Sequence, residues 1–158
     1  MTVTIRKWLE CILSLKYISN TCIYAALISY YTRAYWIFLA LIPLLISNAI
    51  VMFVLEWFNS GELTQAVLGS KDEETKFIFL NTVWHILPLL WVWYILQHDN
   101  LVDIFRPNFM GIFLAGAIFG IGYFYFASNG KYYGEIDYAR YMVIYIITLL
   151  GCCIGLYG

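Results

Sequence analysis

The feature that most limits the fold is the run FIFLNTVWHILPLLWVWYILQ at residues 77–97, which holds no acidic residue, lysine or arginine. As a helix it rises about 32 Å at ~1.5 Å per residue, enough to cross a hydrocarbon core of about 30 Å. Its polarity is gathered on one face. Asn81, His85 and Pro88 stand at i, i+4 and i+7, with Thr82 beside them. Proline has no N–H for the Trp84 carbonyl and its ring crowds that oxygen, so a kink is expected at Pro88.

The rest of the chain follows the same logic. Apolar residues make up 63% and charged residues 12%, against about 45–50% and about 25% in soluble domains. Too little polar surface is available to cover such a chain in water, so lipid is its expected solvent. At 158 residues it is read as a single transmembrane domain. A net charge of −1 offers no basic face for nucleic acid. The four cysteines (11, 22, 152 and 153) lie in apolar runs and form neither a disulfide framework nor a C-x-x-C pair. Glu10 and Lys16 interrupt what would be the apolar core of a signal peptide, so the N-terminal segment is read as retained.

In chain order, residues 4–16 alternate at helical spacing, with Trp8, Cys11, Ile12 and Leu15 on one side and Arg6, Lys7 and Glu10 towards the other. They are read as a short interfacial lead-in with Lys16 snorkelling to the headgroups. Residues 22–58 are nearly continuous apolar sequence, and as one helix they span roughly 55 Å, too long for one crossing. The chain is expected to reverse at Thr32-Arg33. The expected architecture is an all-α polytopic transmembrane bundle of about five spans, at residues 14–31, 34–55, 77–97, 108–128 and 139–157. Residues 59–76 form the longest polar connection, opened by the turn signal Asn59-Ser60-Gly61 and including a possible surface helix over 62–68. With five spans, Arg6, Lys7, Lys16, Lys71, Lys76, Lys131 and Arg140 fall on one side and only Arg33 and Arg106 on the other. This asymmetry places the N-terminus on the cytoplasmic (or equivalent) side and the C-terminus opposite.

Small residues one turn apart mark helix contacts, because in lipid close backbone approach replaces the hydrophobic effect. The pairs are Gly111-xxx-Ala115, Gly116-xxx-Gly120 and Gly151-xxx-Gly155. Tyr138, Tyr141, Tyr145, Thr148 and Cys152 make a polar stripe on the last span, expected to face the bundle.

His85 is the one histidine within a span, and an ionisable group at membrane depth marks a candidate site. Its expected partners are Asn81, the Trp84 carbonyl freed by Pro88, and Asn48 and Ser47 of the second span. A neutral imidazole both donates and accepts, which suits ligand orientation or a proton relay. His98, Asp99 and Asp103 are read as a solvated loop, and no metal or cofactor is expected. No G-x-S-x-G, H-E-x-x-H, Walker A or dinucleotide-loop pattern occurs.

Five spans and six tryptophans in 158 residues resemble the tryptophan-rich sensory (translocator) proteins in size and span count. The Pro-Trp-rich first loop of that family is missing, and the chain is not assigned to it. The residues read as a non-catalytic accessory, assembly or structural component, packed in the bilayer against a membrane-protein partner or its own copies. The alternative is a small transporter or channel component with a polar site between the second and third spans around His85. A membrane-embedded lipid-modifying enzyme is the third reading, and it lacks a nucleophile or acid beside His85.

Overall fold

The computed structural model describes residues 3–158, and every regular element among them is helical. The helices are α1 (Val3–Leu13), α2 (Ile18–Tyr31), α3 (Tyr35–Leu68), α4 (Glu74–His98), α5 (Leu101–Phe105), α6 (Phe109–Gly130) and α7 (Tyr138–Tyr157). Four of them, α3, α4, α6 and α7, are long and apolar enough to cross a membrane, and a fifth crossing is available if α1 and α2 act together. These two are bent by 63° at the break between them. The stretch 14–31 is thus not one helix: residues 14–17 turn the chain, and α2 alone rises only about 21 Å.

Two other expectations change. The helix expected over 34–55 does not stop at residue 55: α3 continues to Leu68 and leaves only residues 69–73 outside a helix before α4. The turn signal at Asn59 survives as a kink, with Asn59 at φ −136° and ψ 31° inside an otherwise helical run. Leu63, Thr64 and Leu68 beyond it are buried, so tertiary packing folds this segment under the bundle instead of releasing it as a loop. Gly69 closes the helix in the left-handed conformation (φ 77°). Lys7 of α1 donates to the Leu68 carbonyl, a cation on a helix C-terminus.

Neither proline breaks its helix: Pro43 lies within α3 and Pro88 within α4, and in α3 the one non-helical residue is Asn59. Pro43 still deprives the Leu39 carbonyl of its i+4 donor. The Tyr157 hydroxyl supplies the replacement, donating to Leu39 O at 2.6 Å from the end of α7. Pro107 precedes α6 rather than starting it, and Asn108 caps the helix by accepting from the Met110 and Gly111 amides.

Helix α3 is the hub, packed against α2, α4 and α7, while α6 rests mainly on α7. The α6–α7 contact uses the Gly116/Gly120 pair. A Cβ on Gly120 would overlap the Tyr145 ring, and one on Gly116 would stand 2.9 Å from Leu149 Cδ2. Tyr145 occupies the space this leaves and donates to the Gly116 carbonyl at 3.2 Å. Tyr138 and Tyr141 of the same stripe also turn inward, donating to Gly134 O at 3.0 Å and to Asn59 Oδ1 at 2.5 Å. A Cβ added to Gly151 or Gly155 would meet nothing within 4 Å, and one on Gly111 would meet only its own cap residue Asn108. These three glycines therefore do not mediate internal contacts.

Three outcomes follow for thermal unfolding in detergent. Gly120→Ala displaces the Tyr145 ring and lowers stability by about 1–3 kcal/mol, while Gly151→Ala is neutral or gains up to about 1 kcal/mol from helix propensity. Tyr157→Phe leaves the Leu39 carbonyl unpaired and costs about 1 kcal/mol. Equal responses at Gly120 and Gly151 would refute the packing assignment.

Candidate functional site

A polar seam runs along the contact between α3 and α4. At its outer end Ser60 of α3 donates to the Glu74 carboxylate. Further in, Glu56 is only 8% exposed, and both of its oxygens are engaged by α4. Asn81 Nδ2 donates to Oε1 at 2.5 Å, and Thr82 Oγ1 donates to Oε2 at 3.0 Å. Among the described residues no lysine or arginine pairs with Glu56. Two uncharged donors therefore carry the carboxylate, an arrangement that depends on both remaining in place.

One turn on, His85 is buried and its ring stands edge-on to Phe53, with centroids 6.5 Å apart. Nδ1 lies 2.7 Å from the Asn81 carbonyl. A carbonyl only accepts, so Nδ1 carries a proton, and in the neutral ring Nε2 then presents a lone pair. Nε2 has no hydrogen-bond partner among the described residues. His85 lines a cavity of about 10 Å³ together with Asn81, Ser19, Asn20 and Trp84. That is room for about one water, which needs ~10–15 Å³ on this scale and two or more polar neighbours.

The cavity is roofed from α1 and α2. Asn20 is almost fully buried, donates to the carbonyls of Cys11 (2.8 Å) and Ser14 (2.9 Å), and accepts from Trp84 Nε1 at 2.9 Å. One amide thus ties the α1–α2 turn to α4. The Trp8 ring of α1 packs edge-on against Trp84, with centroids 6.4 Å apart. The apolar stripe Trp8, Cys11, Ile12 of the lead-in is therefore the cover of this polar pocket.

The structure gathers Asn81, Thr82 and His85 and separates Asn48 and Ser47 from them. Asn48 points to α2, where its amide donates to Cys22 Sγ at 3.5 Å. Ser47 donates to the Pro43 carbonyl at 2.7 Å and faces Cys152 of α7 at 3.9 Å. Both lie two to three turns from Glu56 along α3, on faces turned to other neighbours. Pro88 borders a different gap, an apolar groove of about 210 Å³ with Ile23, Leu27, Leu45 and Trp91. Glu56 is the residue that sequence reasoning missed, because beside Trp57 it passes for an interfacial charge. Its signal was position: it is the one carboxylate in the apolar run 22–58.

At the surface, His98 Nδ1 contacts the Tyr94 carbonyl at 2.8 Å and Asp99 accepts from Tyr30 at 2.7 Å. Among the described residues no three histidines, cysteines or acids are grouped to hold a metal. Comparison with protein families, with curated proteins and with solved structures finds no match to this chain.

Asn81→Leu strips one oxygen of Glu56 of its donor and is expected to cost about 2–3 kcal/mol. The double variant Glu56→Leu/Asn81→Leu should lose less than the two single losses combined, with a coupling of about 1 kcal/mol or more. A thermal double-mutant cycle in detergent reads this, and additive losses would show that the pair is not coupled.

Proposed function

We propose that this chain is a small multi-pass membrane protein with an accessory or structural role, packing in the bilayer against a membrane partner or its own copies. The closed state of the α3–α4 seam carries this reading. The carboxylate is consumed by Asn81 and Thr82, and the cavity beside His85 is about 10 Å³, against the roughly 300–1,000 Å³ of small-molecule sites. Such a seam holds two helices together in a medium where hydrophobicity cannot. It offers a substrate no room.

The apolar side chains left outside support the bilayer assignment: Trp36, Ile37, Phe79, Leu87, Leu90, Trp93, Ile118, Phe126 and Ile147 are all exposed. If α2 makes the fifth crossing with α1 lying along the membrane surface, seven of the nine Lys and Arg share the side of the N-terminus. The cytoplasmic (or equivalent) side is then the proposed location of that terminus.

One observation favours a second reading. The unpartnered Nε2 of buried His85 is a proton or solute contact held at depth, as a small carrier or channel component would use. Crosslinking in native membranes followed by mild-detergent purification separates the two. The accessory reading expects the chain to travel with a membrane partner or as an oligomer, and His85→Ala to reduce that assembly at most. A monodisperse single chain, or a solute or proton flux in liposomes that His85→Ala abolishes with assembly intact, would overturn it.

A further inference from the structure

Helices α2 and α6 do not close on each other along one side of the bundle, and a groove of about 490 Å³ runs between them. Its walls are Leu15 from the α1–α2 turn, Ile18 and Thr21 from the first turn of α2, and Ile118, Phe119, Gly122 and Phe126 from α6. Four of these, Leu15, Ile118, Phe119 and Phe126, are between 45% and 73% exposed, so the groove is open along its length. Gly122 forms the floor, where a Cβ would meet no atom within 4 Å.

The mouth of the groove is built differently. Lys16, in the turn between α1 and α2, holds its ammonium over two rings, 5.1 Å from the centroid of Tyr17 and 4.8 Å from that of Tyr132. The turn itself is pinned, because Tyr123 of α6 donates from its hydroxyl to the Lys16 carbonyl at 3.1 Å. The same hydroxyl meets that of buried Tyr133 at 2.6 Å. Lys16 is therefore a positioned cation and not a free surface chain.

Its charge is also uncompensated. Arg6, Lys71, Lys76 and Lys131 each pair with a glutamate (Glu10, Glu62, Glu73 and Glu135), whereas Lys16 has no carboxylate partner among the described residues. From the end of α6 beside Tyr132 back to Ile118 the helix rises about 18 Å, close to the ~15 Å depth of one leaflet. A cation at the interface and an apolar trough one leaflet deep match a single amphiphile.

We propose that the groove between α2 and α6 binds one anionic phospholipid of the N-terminal leaflet, its phosphate on Lys16 and one acyl chain along Gly122. This rests on the membrane-spanning reading above. The charge at the mouth selects the headgroup, and the absence of a side chain on Gly122 makes space for the tail. A basic residue near a membrane surface favours an anionic lipid about fivefold.

The test is native mass spectrometry of the purified chain in mixed micelles of phosphatidylglycerol and phosphatidylcholine with identical acyl chains. The wild type is expected to retain one phosphatidylglycerol about fivefold over phosphatidylcholine. Lys16→Gln should abolish that preference, and Lys16→Arg should keep it. Gly122→Phe, which has open space to enter, should expel both lipids from the groove without unfolding the chain. The inference is overturned if Lys16→Gln keeps the preference, if Lys131→Gln removes it equally, or if Gly122→Phe still holds its lipid. A Gly122→Cys crosslink between two copies in the membrane would also overturn it, since a second chain would then cover the groove. All these readings come from protein already partitioned into amphiphile, so their failure leaves the membrane-spanning reading in place.

Discussion

Helix α3 is tied to each of its main neighbours by side-chain hydrogen bonds, and the arrangement of the bundle depends on those ties. Asn48 reaches Cys22 on α2, Glu56 takes Asn81 and Thr82 on α4, and Asn59 and the Leu39 carbonyl receive Tyr141 and Tyr157 from α7. In an apolar medium the hydrophobic effect gives no reason for one helix to prefer another, so directional polar contacts and close backbone approach must choose the partners. Asn48, Glu56 and Asn59 of α3 are each aimed at a particular neighbour, which sets the rotation of α3 and, through it, the position of the others.

Close approach completes the assembly on the other side. Gly120 admits the Tyr145 ring and Gly116 the Leu149 side chain, which brings α6 onto α7, although α6 touches α3 only lightly. That light contact has a consequence: α6 is positioned by α7 and by the Tyr123 hydroxyl on the Lys16 carbonyl, and the space it leaves against α2 stays open. The polar seam is tight because hydrogen bonds draw α4 onto α3, whereas α6 is tied near the start of α2 only through Tyr123 among the described residues, and the groove beyond stays wide.

Much of this was legible from residue types. Three strongly apolar stretches near residues 77–97, 108–128 and 139–157 announce helices by length, and Asn81, Thr82 and His85 announce a polar face by spacing. The inward tyrosine stripe was readable too. Other features were not. Glu56 looks like an interfacial residue until α3 is seen to continue past it and α4 to present two donors. Pro43 and Pro88 look like breaks, yet a helix tolerates a proline when the orphaned carbonyl finds another donor, as Leu39 finds Tyr157 118 residues away. Three small-residue pairs look alike in sequence, and of their glycines only Gly116 and Gly120 have a side chain of another helix seated on them.

Composition and spacing by themselves determine that the described chain is helical, with several helices long and apolar enough to cross a membrane, because both follow from local spacing and transfer free energy. Which polar residue meets which was decided by tertiary structure alone. A hydrogen bond between Glu56 and Asn81, or between Lys16's carbonyl and Tyr123, depends on the relative rotation and height of two helices, quantities that no single stretch of sequence contains.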